Sequence, residues 1–316
     1  MKAAKFLALL ALCSFAAIAL LAYVKKQRKE ANDIKAVTAI PGKKEIKPGP
    51  SKEAIPSKKE GATVPANGQT VAINRIDQLF TVTGKKLPIV ETVTYTSHVE
   101  WLPGKPAWIS DYASHYATSR HFIARSLNRS LDYFTQQVHE GDRFNVLRLD
   151  KKITFHLVVS IKDCRMLFYY YDADTHERVL LKSYPVGLGR PAEGMPSGCL
   201  TPLGSYDLGD RIAIYKPSDK GLYLQKETEM IRIFGTRWIP FDKGYGIHGA
   251  PWCATGPKEA LVENRSSVGR LESDGCIRLL TEDVEELFSI VITKPTTIHI
   301  VKTFSDAKLP GKESAP

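Results

Sequence analysis

Residues 153–188 read ITFHLVVSIKDCRMLFYYYDADTHERVLLKSYPVGL, and three runs inside them decide the fold. ITFHLVVSI (153–161), MLFYYYD (166–172) and RVLLKSYPVGL (178–188) are dense in β-branched and aromatic residues, which suit a pleated, half-buried surface. Lys162-Asp163 and Ala173-Asp174 supply polar breaks for turns. Short strands joined by tight connections predict an antiparallel meander.

Towards the C-terminus, Gly187, Gly189, Gly194 and Gly198, with the prolines near them, mark a long loop before Thr201-Pro202-Leu203-Gly204 leads into another strand. Thr281 reads as a helix N-cap with Glu282 and Asp283 in the first turn, and Val284, Leu287, Phe288 and Val291 recur on one face. Lys294-Pro295 ends that helix, and Thr297 to Val301 (TIHIV) returns as a strand. The expectation over 151–304 is a mainly β domain with one principal helix, followed by a flexible tail at 305–316.

Towards the N-terminus, Trp108, Ile109, Tyr112, Ala113 and Tyr116 are spaced like one helix face. Ile123, Leu127 and Leu131 start a second helix after the break at Ala117-Thr118-Ser119, and Val138, Phe144 and Val146 suggest a strand. Residues 71–150 therefore read as a small module in the order strand, helix, helix, strand. Its aromatic residues are those of an ordinary core.

Residues 6–24 carry no charge, and as a helix would be about 28 Å long, enough to cross a hydrocarbon core. A cleaved signal peptide would use Ala17-Ile18-Ala19; a lipoprotein would use Cys13, although Leu12 is bulky for such a site. We expect 1–24 to be an uncleaved N-terminal hydrophobic anchor. Lys25, Lys26, Arg28 and Lys29 outweigh Lys2 and Lys5, which by itself favours a cytoplasmic C-terminus, and the chemistry further along the chain overrules that. Pro41, Pro48, Pro50, Pro56 and Pro65, spread among Lys, Glu, Gly and Ser, make 25–70 a tether.

The net charge is +10, and residues 1–60 hold thirteen Lys or Arg against five Asp or Glu, leaving +2 for the remainder. A nucleic-acid partner would need basic residues concentrated on a folded surface, so that class is set aside. The five cysteines include no CxxC pair, and His98, His115, His121 and His139 have no repeated ligand spacing, so no zinc site is expected. In an oxidising compartment a disulfide among Cys164, Cys199 and Cys253 is open, with no pairing implied.

The chemistry concentrates in IHGAPW (247–252) and SDGCIRLL (273–280). A thiol is mostly protonated at neutral pH, so a nucleophilic cysteine needs a base and donors for an oxyanion. Cys276 and His248 have the right chemistry; Gly275 and Gly249 leave room beside them. As residue types alone, a buried inert cysteine remains the commoner case. If residues 274–278 are extended, Asp274, Cys276 and Arg278 share one face, with Asp274 raising the thiol pKa and Arg278 offsetting it.

The order Thr201-Pro202-Leu203-Gly204, Ile247-His248-Gly249 and Ser273-x-Gly275-Cys276-Ile277-Arg278-Leu279, followed by an amphipathic helix, resembles the YkuD family of L,D-transpeptidases over about residues 152–303. The resemblance implies a β-sandwich in which Cys276 attacks the third residue of a peptidoglycan stem peptide and expels the terminal D-alanine. His248 acts as base, and an amine from a second stem resolves the thioester into a 3→3 cross-link. Gly275, Ser273, Arg278 and Gly249 fall on oxyanion or substrate-binding positions; no cofactor is implied. Two departures stand out. Asp274 occupies a place usually taken by His, where it would tune the thiol, and twenty-four residues separate His248 from Ser273, as a lid or a plain insertion.

Pro103-Gly104, Ala117-Thr118-Ser119 and Leu127-Asn128, at the helix boundaries of the small module, resemble a LysM unit, which implies glycan binding. The expected location is the cell envelope, membrane-anchored with the catalytic domain periplasmic. Water as acceptor would make the same site an L,D-carboxypeptidase, and a non-catalytic wall-binding protein is the competing class. A papain-like peptidase is disfavoured, since Cys-Gly-x-Cys-Trp is lacking and His precedes Cys.

Overall fold

The computed structural model describes residues 73–129, 137–215, 225–254, 261–292 and 294–314. The expected anchor at 1–24 and tether at 25–70 lie outside the described residues, as does Leu131. Among the described residues no helix is long and apolar enough to cross a membrane.

The chain begins with α1 (Asp77–Phe80), β1 (Val90–Thr94), α2 (Ile109–His115), α3 (Arg120–Asn128) and β2 (Arg143–Leu147). β1 and β2 pair antiparallel, so the strand, helix, helix, strand order is present. β3 (Ile153–Ser160), β4 (Arg165–Asp172) and β5 (Glu177–Pro185) then form the expected antiparallel meander. Its two turns each contain a left-handed residue, Cys164 at φ 47° and His176 at φ 56°.

Short pieces follow: β6 (Leu188–Gly189), β7 (Gly204–Asp207), β8 (Ala213–Ile214), α4 (Gln225–Phe234), β9 (Arg237–Asp242) and β10 (Tyr245–Gly249). Then come β11 (Trp252–Ala254), β12 (Leu261–Glu263), β13 (Leu271–Ser273), β14 (Ile277–Leu279), α5 (Thr281–Val291), β15 (Thr296–Val301) and β16 (Lys312–Glu313). Two sheets dominate, one of six strands in the order β16-β5-β4-β3-β15-β7 and one of four in the order β14-β10-β9-β8. Apolar side chains of both sheets and of α5 share a core that includes Phe155, Leu157, Phe168, Ile239, Ile247, Ile277, Leu287 and Phe288. The protein is mainly β with few helices, as a β-sandwich reading requires.

Three local expectations change. α4 is an additional helix beside α5 in the β domain; its charged sequence hid the apolar side that buries Ile231. Thr281 is the first helical residue of α5 rather than its cap. Leu280 takes the cap position, and the first turn is satisfied from a distance, with Thr281 N donating to Glu263 Oε1 at 2.5 Å. The stretch 305–314, expected as a flexible tail, runs back to the sheet edge, where β16 pairs with β5 and Arg178 reaches the Gly311 carbonyl at 2.6 Å.

Residues Gln69–Pro316 make one compact unit, in which the small module does not stand alone. Tyr95, Tyr112, Ile123, Phe144 and Val146 form its own cluster, while Leu79, Phe80, Ile89, Phe122 and Leu147 join the main core. Ser119 caps α3 by accepting from Phe122 N, and its hydroxyl donates to Ser289 O of α5 at 2.6 Å. Glu286 of α5 gathers Lys182 Nζ at 2.6 Å, Tyr184 Oη at 2.9 Å and Arg125 at 3.7 Å. Lys182 and Glu286 are 18% and 15% exposed, so removing one partner leaves a poorly solvated charge. Glu286→Ala is expected to cost about 2–3 kcal/mol in urea unfolding, whereas Asp150→Ala, at the solvent-exposed pair with Arg148, should leave the midpoint unchanged.

β3 and β15 also bury two imidazoles, His156 Nδ1 lying 3.1 Å from His299 Nε2. Thr154 and Ser205 bond the outer nitrogens at 3.1 and 2.8 Å. Burial first, then the His299 and Arg178 charges, push the His156 pKa down to about 4. An unfolded imidazole titrates near 6.5, so the unfolded chain binds more protons between those values, and stability falls as pH drops through that window. His156→Gln, which bonds but does not titrate, should flatten the fall in urea midpoint between about pH 7 and pH 4.5; an undiminished fall would count against this assignment.

Candidate active site

β10 and β14 run parallel in the register Ile247↔Ile277, His248↔Arg278 and Gly249↔Leu279. Cys276 immediately precedes β14, so this pairing brings it to the strand that carries His248. Burial raises the Cys276 thiol pKa; the Gly246 backbone, by hydrogen bonding, and the Arg278 charge pull it back, and Asp274 pushes it up. The sulfur thus lies against β10, with Gly244 O at 3.8 Å. Gly246 is two residues before His248 on the same strand. Among the described residues no hydrogen bond joins Cys276 to His248 directly.

His248 is 3% exposed. Its Nδ1 is 2.7 Å from Gly249 O. A carbonyl only accepts, so Nδ1 carries the proton and Nε2 keeps its lone pair. Burial holds the His248 pKa down to about 4; the Gly249 hydrogen bond and a weaker one to the Phe234 backbone oppose this, and the Arg278 charge adds to it. At neutral pH the pair therefore rests as thiol and neutral imidazole.

The turn before Cys276 depends on position 275. Gly275 has φ 115°, and a Cβ there would lie 2.5 Å from Tyr245 Cε1 and 2.8 Å from Leu200 O. Its N–H donates to Ser273 Oγ at 3.1 Å, and that hydroxyl donates to Cys276 O at 2.6 Å. Thr201, fully buried, accepts from Gly189 N at 2.7 Å and donates to Gly275 O at 3.0 Å. Ser273 and Thr201 accordingly brace the turn, and the Gly275 amide is already used. Among the described residues the Cys276 amide has no acceptor. Gly249 contributes its carbonyl; a Cβ there would meet Thr236 N at 3.1 Å.

The expectation of a shared Asp274, Cys276 and Arg278 face is corrected. The left-handed Gly275 interrupts the extended run, and Asp274 pairs instead with Arg190, both largely exposed. Arg190 is fixed by its backbone, its N donating to Ser273 O at 2.8 Å. Arg278 has no ion-pair partner among the described residues, and its Nε is buried without a hydrogen-bond partner. Sequence reading missed Arg190, Trp238 and Glu263, each placed by long-range pairing.

Part of the long segment between His248 and Ser273 is pinned. Glu263 caps α5, and Arg265 joins Glu263 at 2.9 Å to Glu282 at 2.6 Å. Cys253, on β11, is exposed, and Cys164, Cys199, Cys253 and Cys276 are all free thiols. No group of three potential metal ligands occurs among the described residues.

Residues 154–300 match the YkuD family model, the L,D-transpeptidase catalytic domain. The chain is also similar to a Bacillus licheniformis protein named as a candidate L,D-transpeptidase, YkuD, at 29% identity over 146 residues. That similarity covers 46% of this chain and 65% of the relative. Both findings make this part of the chain similar to the L,D-transpeptidase catalytic domain. Among solved structures it is similar to the helical cell shape determining protein Pgp2 of Campylobacter jejuni, at 19% identity and TM-score 0.33 over 51% of each chain. Bd1075 of Bdellovibrio bacteriovorus is similar at 14% identity and TM-score 0.31, over 47% of this chain and 48% of that one. The chain thus spans about half the length of these structures and 65% of the curated relative.

The charges around the thiol act in opposite directions. Arg278→Ala is expected to raise the Cys276 pKa and slow its alkylation by iodoacetamide near neutral pH, while Asp274→Asn should speed it. An unchanged alkylation rate profile in both variants would sink the assignment.

Proposed function

We propose that the protein is an L,D-transpeptidase acting on peptidoglycan stem peptides, with Cys276 as nucleophile and His248 as base. The observation that carries the reading is the buried His248, fixed by Gly249 O in the tautomer whose Nε2 carries the lone pair, on the strand against which the Cys276 sulfur lies. A neutral imidazole can take the thiol proton as sulfur attacks; an imidazolium cannot.

In this mechanism Cys276 Sγ bonds to the carbonyl carbon of the third stem residue as His248 accepts the thiol proton. The oxyanion is received by the Cys276 amide, which has no acceptor among the described residues. Collapse breaks the peptide bond, and His248 returns the proton to the departing D-alanine amine. A side-chain amine of a second stem then attacks the thioester carbonyl and gives up a proton to His248, and the thiolate leaves and is reprotonated. Arg278, without an ion-pair partner, suits a substrate carboxylate.

The same reading takes residues 1–24 as a membrane anchor, 25–70 as a tether and the βααβ module as a LysM-like glycan contact, with the catalytic unit in the periplasm. Exposed Trp108 and the stack of Trp101 on His115 at 4.2 Å are compatible with a sugar-facing surface.

Incubating the full chain with purified tetrapeptide stems should release D-alanine and form cross-linked dimer. Cys276→Ala should abolish both, and His248→Ala should lower the rate by about 10²–10⁴-fold. D-alanine without dimer would make the enzyme a carboxypeptidase; no product from the parent would favour a non-catalytic wall-binding protein.

A further inference from the structure

The imidazole of His248 is anchored at Gly249 O, with a weaker hydrogen bond to the Phe234 backbone, and neither bond by itself fixes the tilt of the ring plane. Two aromatic rings restrict that tilt. β9 and β10 pair antiparallel with Trp238 opposite His248, so both side chains rise from the same sheet face. The indole is offset-stacked on the imidazole, with centroids 5.9 Å apart and planes at 26°. Phe234, at the end of α4, presents its ring at 5.3 Å and 87° to the imidazole, and packs against the indole at 4.7 Å.

Gly246 makes this arrangement possible. A Cβ there would lie 2.7 Å from Trp238 Cη2, so the indole covers Gly246 as well as reaching His248. Gly246 is also the residue whose backbone faces the Cys276 sulfur. One flat side chain therefore spans the residue beside the thiol and the base.

The charged surroundings are simple. From β14, Arg278 faces His248, and from the adjoining turn comes Cys276. Arg237, beside Trp238 on β9, lies on the opposite face and reaches Glu285 at 3.3 Å. α4 contributes the apolar Phe234.

We propose that Trp238 is a positioning residue for His248: its indole, with the Phe234 ring, fixes the imidazole plane that directs Nε2 towards Cys276 and excludes water from the ring. This rests on the acyl-transfer reading above. The two rings are part of the burial that depresses the His248 pKa to about 4. When the thiol proton arrives, the indole face is also an electrostatic partner for the imidazolium.

The test uses the full chain with Trp238→Leu, which keeps apolar bulk without the ring plane, and Trp238→Phe, which keeps a ring. His248 is titrated by NMR at its Cε1–H, and kcat and KM are measured on tetrapeptide stems. In the parent His248 should stay neutral down to about pH 5, whereas in Trp238→Leu its titration should move up towards about 6.5. kcat should fall about 100-fold with KM changed less than about threefold, the pattern of a misplaced base. Trp238→Phe should recover most of both. A folded Trp238→Leu protein with the parental titration and kcat within about twofold overturns the proposal. If Trp238→Leu does not fold, Gly246→Ala displaces the indole instead: a raised His248 titration supports the proposal and an unmoved one overturns it. The titration needs no turnover. A raised titration in a chain inactive on stems leaves the positioning intact and rejects the transpeptidase reading; an active chain with an unmoved titration rejects the positioning alone.

Discussion

The pairing of β10 with β14 is the constraint on which the candidate site depends. Both strands are short, and their core-facing Ile247, Ile277 and Leu279 are fully buried. Shifting the register by one residue would turn those side chains out of the core and His248 and Arg278 into it. The hydrophobic effect thus fixes where His248 stands relative to Cys276, although 27 residues lie between them in sequence. α5 follows β14 directly and seals the same core with Val284, Leu287, Phe288 and Val291.

That burial has an electrostatic consequence. The environment that locates the imidazole and thiol also disfavours charge on each, lowering one pKa and raising the other. A resting thiolate–imidazolium pair is therefore opposed, and in the proposed reaction proton transfer would accompany attack. The groups that soften this are fixed ones: the Gly246 backbone and the Arg278 charge at the sulfur, and the Gly249 carbonyl at Nδ1, while Arg278 also works against charge on the imidazole. None needs to reorganise as charge develops, which is the condition under which such groups act most strongly.

The meander was legible because three β-rich runs separated by polar pairs leave few alternatives, and Cys276 and His248 stood out as candidates from glycine-flanked motifs in a particular order, with the β10–β14 pairing then setting them on neighbouring strands. What escaped was non-local. Asp274 pairs with Arg190 across a crossing that only the β6–β13 pairing creates. The cap of α5 comes from Glu263, eighteen residues upstream, so the local Ser/Thr rule pointed to Thr281 instead. Trp238 reads in sequence as one more apolar strand residue; its meaning depends on the absence of a side chain at Gly246.

The shared core of the small module and the β domain bears on how the candidate site is presented. Phe122 and Leu147 of the module lie in the main core, and Ser119, Arg125 and His121 all meet α5, His121 edge-on to Phe288 at 5.3 Å. Swinging the module away would expose those apolar side chains and separate the partly buried charges at Glu286, both costly. It is therefore built as a fixed wall beside the candidate site. Whatever surface Trp101 and Trp108 contact is then held at a constant position relative to the Cys276 thiol, and under the proposed function freedom to reach a second stem would come from the substrate rather than from motion within this unit.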